Sequence, residues 1–368
     1  MDDVAFLEEL VAIPSLSGEE DLLAEHLGAR MARMGFRVRR DEVGNVIGDL
    51  GDPKAERKIV LLGHMDTVPG NLLVRRKNGF LYGRGAVDAK GPLAAFVLAA
   101  VRAVHQLRDT HVFVIGAVEE EARSRGAHHV ARTMAPPHAV IIGEPSGWQG
   151  ITLGYKGTLC VDYRLTRAAG HGAGNKSTPA EEAVAFWNAL VRFTAARNGE
   201  RRPPRFDTLD ATLESIRTGG DGLDDWVEMR IGLRLPVGID MAALQQAMRE
   251  WRDRAELSFP YSEQPFRANK NTPVVRALLR AIRSVDGRPR FKLKTGTSDM
   301  NVVGPAWGCP IAAYGPGDAS LDHTPGERID VAEFRRGVEV LVHALRELQQ
   351  ADLWQPFGSS QARSLISQ

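Results

Sequence analysis

Two rhythms of apolar and polar positions run through the first part of the chain. Short apolar runs at 36–39, 46–48, 58–62, 111–117 and 139–142 predict strands, while 92–106 and 126–134 carry helical spacing. Residues 4–11 and 18–34 predict two opening helices. Ser17 is placed to cap the second, with Glu19 and Glu20 near its positive end. Apolar strands separated by amphipathic helices predict an α/β domain with a mostly parallel sheet. After about Gly154 the order changes to a long strand (158–166), a helix opened by Ser177-Thr178-Pro179-Ala180-Glu181, strands at 212–218 and 226–235, a helix at 241–254 and a short strand at 257–259. That β-α-β-β-α-β order predicts a ferredoxin-like α+β insert. The first pattern then resumes with a helix at 273–284, a Gly-rich segment at 295–317 and a final helix at 331–348. The expected division is an α/β domain in two parts, 1–155 and 268–354, around an insert at 156–267, with a polar tail at 355–368 that should fray.

Composition narrows the classes of function. The 368 residues are 43% hydrophobic and 25% charged, ordinary for a globular chain. Lys+Arg 47 against Asp+Glu 46 leaves a net charge of +1, without the basic excess of a dedicated nucleic-acid or membrane-surface binder. Cys160 and Cys309 form no CxxC pattern and exclude a disulfide framework. No apolar run approaches the ~20 residues of a membrane span, and MDDVAFLEEL lacks signal-peptide order. The expectation is a cytoplasmic protein, with neither nucleic acid nor membrane as partner.

Chemistry gathers where predicted strands end. The strand at 58–62 runs into Gly63-His64-Met65-Asp66, where period-two alternation puts His64 and Asp66 on one side. A carboxylate beside an imidazole fixes its tautomer and raises its basicity, as a metal ligand requires. Gly83-Arg84-Gly85-Ala86-Val87-Asp88-Ala89-Lys90-Gly91 precedes a helix but fits neither phosphate-loop pattern, and Asp88 sits where an anion would bind. Glu119-Glu120-Glu121 ends the third strand; three adjacent carboxylates read as a solvated turn unless a cation gathers them. Glu144 follows the fourth strand, and His323 follows the Gly-rich segment. The strand ends of an open α/β sheet form its ligand crevice. Two histidines and three carboxylates there suit Zn²⁺, Co²⁺ or Mn²⁺, and a bridging carboxylate would make the ions a pair.

The ordered set HMD, GRGAVDAKG, EEE, GEPS and DHTP resembles the co-catalytic zinc aminoacylase and exopeptidase family over about residues 5–350. GAVEEEA, KTGTSDMNVV and AYGPGDASLDHTP are similar to the branch that releases lysine or ornithine from an acidic amino-group carrier protein. The resemblance implies two divalent ions, Zn²⁺ or Co²⁺, with His64 and Glu144 on one, His323 and Glu121 on the other, and Asp88 bridging. Glu120 would be the general base and Asp66 would orient His64; the triple glutamate leaves the register open by one residue, and Glu120 and Glu121 are chosen because Ala122 matches the family's usual spacing. A cis peptide is implied after Asp88. His171 resembles the family's oxyanion-stabilising histidine, acting across a homodimer, and Arg234 its substrate-carboxylate arginine. Asp221-Gly-Leu-Asp-Asp225-Trp226 departs from the family's usual Asn-Val-Pro. The implied activity is hydrolysis of the amide joining lysine or ornithine to the carrier's C-terminal glutamate. An N-acetylornithine-type deacylase or a dipeptidase is the alternative on the same scaffold, and a non-catalytic binding module a remote one. Basic stretches at 37–40, 75–77 and 201–205 are candidates to meet the acidic carrier.

Overall fold

Residues 59–62 and 139–142 are buried almost completely, the continuous apolar run of strands covered on both faces. They belong to a sheet whose order in the first unit is Arg37–Arg40, Val46–Gly51, Thr110–Ala117, Arg57–His64, Ala139–Ile142, Ile311–Ala313, Gly150–Tyr155. The four strands from Thr110–Ala117 to Ile311–Ala313 are parallel; antiparallel strands flank them on both sides. This is a computed structural model, and it describes residues 2–169, 177–200, 203–350 and 354. The chain falls into two units, one of Met1–Gly154, Ala268–Lys292 and Val302–Gln368, the other of Tyr155–Arg267 and Leu293–Asn301. The tail at 355–368 lies outside the described residues.

Helix Lys90–Ala103 in the first unit is buried nearly all round, as its Ala-rich apolar sequence requires. Its first turn takes in Pro92, which begins no interior break because the first four N–H groups have no helical partner. Helices Pro273–Ser284 and Val331–Leu348 complete the same core. Three short strands, Arg75–Lys77, Phe80–Tyr82 and Arg328–Asp330, make a separate antiparallel sheet. The basic stretch at 75–77 forms one of these strands with all three residues exposed, and Arg75 and Arg328 stack over Tyr82 and Phe80 with 5.1 and 5.4 Å to the ring centroids.

The second unit folds Gly157–Ala168, Pro179–Asn198, Asp210–Gly220, Asp224–Leu235, Met241–Trp251 and Glu256–Ser258 in that order. Its sheet runs Asp210–Gly220, Asp224–Leu235, Gly157–Ala168, Glu256–Ser258, all antiparallel, which is the ferredoxin-like arrangement. Alternation does the work. Leu159, Val161, Tyr163 and Leu165 join Val227, Met229, Ile231 and Leu233 in a core with Phe186, Leu190, Leu244 and Met248 of the two helices. Arg164, Glu228 and Arg230 alternate onto the opposite, open face.

Several local expectations are corrected. Ser17 caps nothing: the second helix is Asp21–Arg33, and the Ser17 hydroxyl donates to Asp66 Oδ2 at 2.7 Å. The Gly-rich segment contains the helix Asp299–Trp307, and Gly150–Tyr155 is a strand with no alternation to betray it, being buried on both faces. At 37–40, Arg37 pairs with Asp49 and Arg40 with Asp21, so two of its cations are already matched.

Candidate metal centre

Parallel register brings three strand ends to one edge. His64 ends its strand opposite Ala117, and Leu62 lies opposite Ile142. The residues just beyond, 118–121 and 143–144, therefore emerge beside His64. Asp88 arrives differently, on the turn between the small sheet and helix Lys90–Ala103 rather than from a strand of the main sheet. Its peptide bond to Ala89 is cis. His323 follows the turn Ala319–Leu321 with φ +59.

Asp88 stands between the two imidazoles. His64 Nε2 lies 3.3 Å from Asp88 Oδ1 and 4.0 Å from Glu144 Oε1. His323 Nε2 lies 3.1 Å from Asp88 Oδ2 and 2.8 Å from Glu121 Oε1. Glu120 joins His64 and Glu121 in a third group, all of whose ligand atoms lie within 4.8 Å of one another. Glu119 is turned away: it has φ +57, and its Oε1 sits 2.8 Å from Arg125 Nε. Of the three glutamates, the structure thus brings Glu120 and Glu121 to the cluster.

The donor set fits divalent ions. His64 Nδ1 is 3.0 Å from the Asp66 carbonyl, so the ring proton bonds there and Nε2 presents a lone pair to two carboxylates. Acceptors facing acceptors need a cation between them. Donors each about 2.1 Å from a tetrahedral ion lie about 3.4 Å apart, within the spread of the separations found here. Without a metal, protons take that place. Burial alone would drive the His64 imidazole down, but Asp66 and Asp88 hold it well above its usual range. Hydrogen bonds to Asp88 and Glu121 raise His323 to about 10. Burial and the Asp88 charge push the Glu121 carboxyl up.

The supporting residues are deeply buried. Asp66 is fully enclosed. Burial would raise its carboxyl, yet the bonds from His64, Ser17 and the Glu121 N–H hold it below the usual carboxylate value. Sequence reasoning assigned no role to Glu327, Arg84 or Lys90. Glu327 is 1% exposed; its Oε1 accepts from the Val87 and Asp88 N–H groups at 3.0 and 3.2 Å, and its Oε2 from Arg84 at 2.7 Å. Lys90 Nζ donates to the Ile13 carbonyl at 2.6 Å, and burial pushes its ammonium down to about 7. The only sequence signal for Glu327 was its place five residues after Asp322 and just before a strand.

Arg234 belongs to the second unit, exposed on strand Asp224–Leu235, where its Nη1 donates to Thr297 Oγ1 at 3.0 Å. Thr297 in turn donates to the Lys156 carbonyl at 3.2 Å. His171 lies outside the described residues.

A parallel-cored α/β sheet with paired His–carboxylate groups at its strand ends defines a metal-dependent hydrolase. The model of peptidase family M20/M25/M40 matches residues 60–347, and the chain belongs to that family. It is 44% identical over 350 residues to the [LysW]-lysine hydrolase of Deinococcus radiodurans, covering 93% of this chain and 96% of that protein. It is 37% identical to a putative [LysW]-lysine/[LysW]-ornithine hydrolase of Pyrococcus furiosus, over 95% of this chain and 98% of the relative. Among solved structures, the M20 family metallo-carboxypeptidase Sso-CP2 of Sulfolobus solfataricus superposes with a TM-score of 0.79 at 17% identity, covering 95% of this chain and 99% of its own. No described helix is long and apolar enough to cross a membrane.

Proposed function

We propose that this protein hydrolyses the amide joining lysine, and also ornithine, to the C-terminal glutamate of the LysW carrier protein, releasing the free amino acid in lysine and arginine biosynthesis in the cytoplasm. The observation that carries the chemistry is Asp88 shared between His64 and His323, with Glu120 beside the pair. The 44% identical [LysW]-lysine hydrolase supports the substrate. His64, Glu144 and Asp88 would hold one divalent ion and His323, Glu121 and Asp88 the second, either zinc or cobalt. When bound, the ions supply Lewis-acid polarisation of the amide carbonyl and acidify an attacking water.

The chain's own residues do the rest. Glu120 takes the proton of the attacking water and passes it to the leaving amine. Asp66 keeps His64 in the tautomer that faces the carboxylates. Arg234, held by Thr297, binds the substrate carboxylate, and His171 stabilises the oxyanion from the second subunit of a homodimer. The insert at 156–267 serves as the dimerisation domain between the two catalytic parts, 1–155 and 268–354. Exposed Val184 and Val191 on helix Pro179–Asn198 and Ile216 on the outermost strand of its sheet support that association.

The test offers the purified protein LysW-linked lysine, LysW-linked ornithine and N-acetylornithine side by side. Preference for the carrier-linked substrates is expected; a tenfold preference for N-acetylornithine would sink the carrier reading. Lysine and ornithine differ by one methylene, about 1–3 kcal/mol in a pocket, so both should turn over. Chelator should abolish the activity and Zn²⁺ or Co²⁺ restore it.

A further inference from the structure

Four consecutive backbone N–H groups, those of Val118, Glu119, Glu120 and Glu121, all donate to side chains from other elements. Val118 bonds Asn45 Oδ1, Glu119 bonds Glu20 Oε1, Glu120 bonds Asp66 Oδ1 and Glu121 bonds Asp66 Oδ2, each at 3.0 Å. Three acceptor residues, remote in sequence, thus grip one turn. Asn45 and Asp66 are fully buried and Glu20 is 4% exposed. Asn45 is itself held, donating to Asp41 Oδ2 and the Gly126 carbonyl at 2.8 and 3.1 Å. A Cβ on Gly126 would come within 2.3 Å of Asn45 Oδ1, so only glycine admits this approach.

The grip answers a specific difficulty. Adjacent glutamates repel, and a free turn would spread them. Here Glu119 takes a left-handed backbone, its carbonyl closes the turn onto Ala122, Arg123 and Ser124, and its side chain leaves for Arg125. Glu120 and Glu121 are left facing the histidines. Asp66 already orients His64, so its loss would disturb two things at once. Glu20 meets the turn through the Glu119 N–H.

We infer that Glu20 is a positioning residue whose carboxylate fixes the Glu119 amide and so aims Glu120 and Glu121. The role is that of an oxygen acceptor at a fixed place, not of a charge. Its kinetic consequence rests on the hydrolytic reading above; its geometric consequence does not.

The experiment compares Glu20→Met, Glu20→Ala and Glu20→Gln in the full chain loaded with Co²⁺. Met fills the volume without an acceptor, Ala removes both, and Gln keeps an oxygen. A base displaced by a fraction of an ångström loses rate rather than affinity. For Glu20→Met, kcat on LysW-linked lysine is expected to fall about tenfold with KM within about twofold, and the visible spectrum of bound Co²⁺ to change as Glu121 shifts. Glu20→Gln should recover kcat to within about threefold of the parent and keep its spectrum. Glu20→Ala should match Met; if it fails to fold, the Met and Gln pair carries the comparison at equal thermal midpoints. Parental kcat and spectrum in Glu20→Met would overturn the inference, as would Glu20→Gln as impaired as Glu20→Met. A chain that hydrolyses no amide offered, yet shows the spectral change in Met and not in Gln, overturns the hydrolytic reading and leaves the positioning role standing.

Discussion

Arg230 and Arg84 each meet a carboxylate, in two regions that use charge differently. On the open face of the ferredoxin-like sheet, Arg230 reaches Asp162 at 2.7 and 2.9 Å with its side chain 53% exposed. Beside the metal centre, Arg84 is 12% exposed and reaches Glu327, whose second oxygen holds two backbone amides. The sheet face sets unlike charges opposite one another across strands, Arg217 opposite Glu228 and Arg164 opposite Glu256. Beside the candidate metal centre the Glu327 carboxylate has two duties, an arginine to pair with and two backbone amides to hold. Burial makes that difference: in water an ion pair is nearly neutral in free energy, whereas an enclosed one cannot lose a partner cheaply.

The contrast can be broken first at the chemistry. Glu120→Gln should lower kcat at least about a hundredfold while both metals stay, measured by turnover and by metal content after gel filtration. A Gln variant with parental turnover would remove Glu120 from its role. Next comes complementation. Glu120→Ala and His171→Ala subunits, each inactive, should recover to roughly a quarter of parental activity after exchange, because about half the dimers are mixed and each mixed dimer carries one intact site of two. No recovery despite demonstrated exchange would rule out a histidine acting across the dimer.

Stability should separate the two regions as well. Glu327→Ala strands Arg84 and two amides, and should cost about 3 kcal/mol by denaturant melts of the metal-free protein. A smaller expectation concerns pH. His323 is raised to about 10 when no metal is bound, by its bonds to Asp88 and Glu121. Its contribution is therefore whole below about 6.5, the ordinary imidazole value, and lost as pH rises through about 10. Metal needs the neutral ring, so the rise in Tm on adding Zn²⁺ should be larger at pH 8 than at pH 6. An equal rise at both would contradict the proton competition. Least of all, Arg230→Ala should change stability by no more than about 1 kcal/mol, and a larger loss would erase the contrast between the two regions.

The same division decides what could be read without coordinates. His64, Glu144 and the triple glutamate each follow an apolar strand, so a periodicity argument brings them to one edge. The ferredoxin-like order was equally visible, because alternation along 157–168 and 224–235 is nearly unbroken. Glu327 and Asn45 were invisible, and Glu20 was read only as a charge near a helix end: each acts on a neighbour's backbone, and a backbone amide has no sequence identity to match. Ser17 misled for a related reason, since a hydroxyl that can accept from a helix end can equally donate to Asp66. Which of three glutamates leaves the cluster depended on one left-handed residue, and no residue type announces that at Glu119.

Asp88, Glu121 and Glu144 precede the second unit in the chain, and His323 follows it. During synthesis the nascent protein holds His64 and its carboxylates long before their last companion exists. At ribosomal speeds of about 5–20 residues per second, that interval is roughly 10–40 seconds. In that interval the group His64, Asp88 and Glu144 is complete in sequence, while the group Asp88, Glu121 and His323 is still short of its imidazole. The order of the genetic message thus completes the Glu144 group of side chains well before the Glu121 group, whose imidazole is made only near the end of translation.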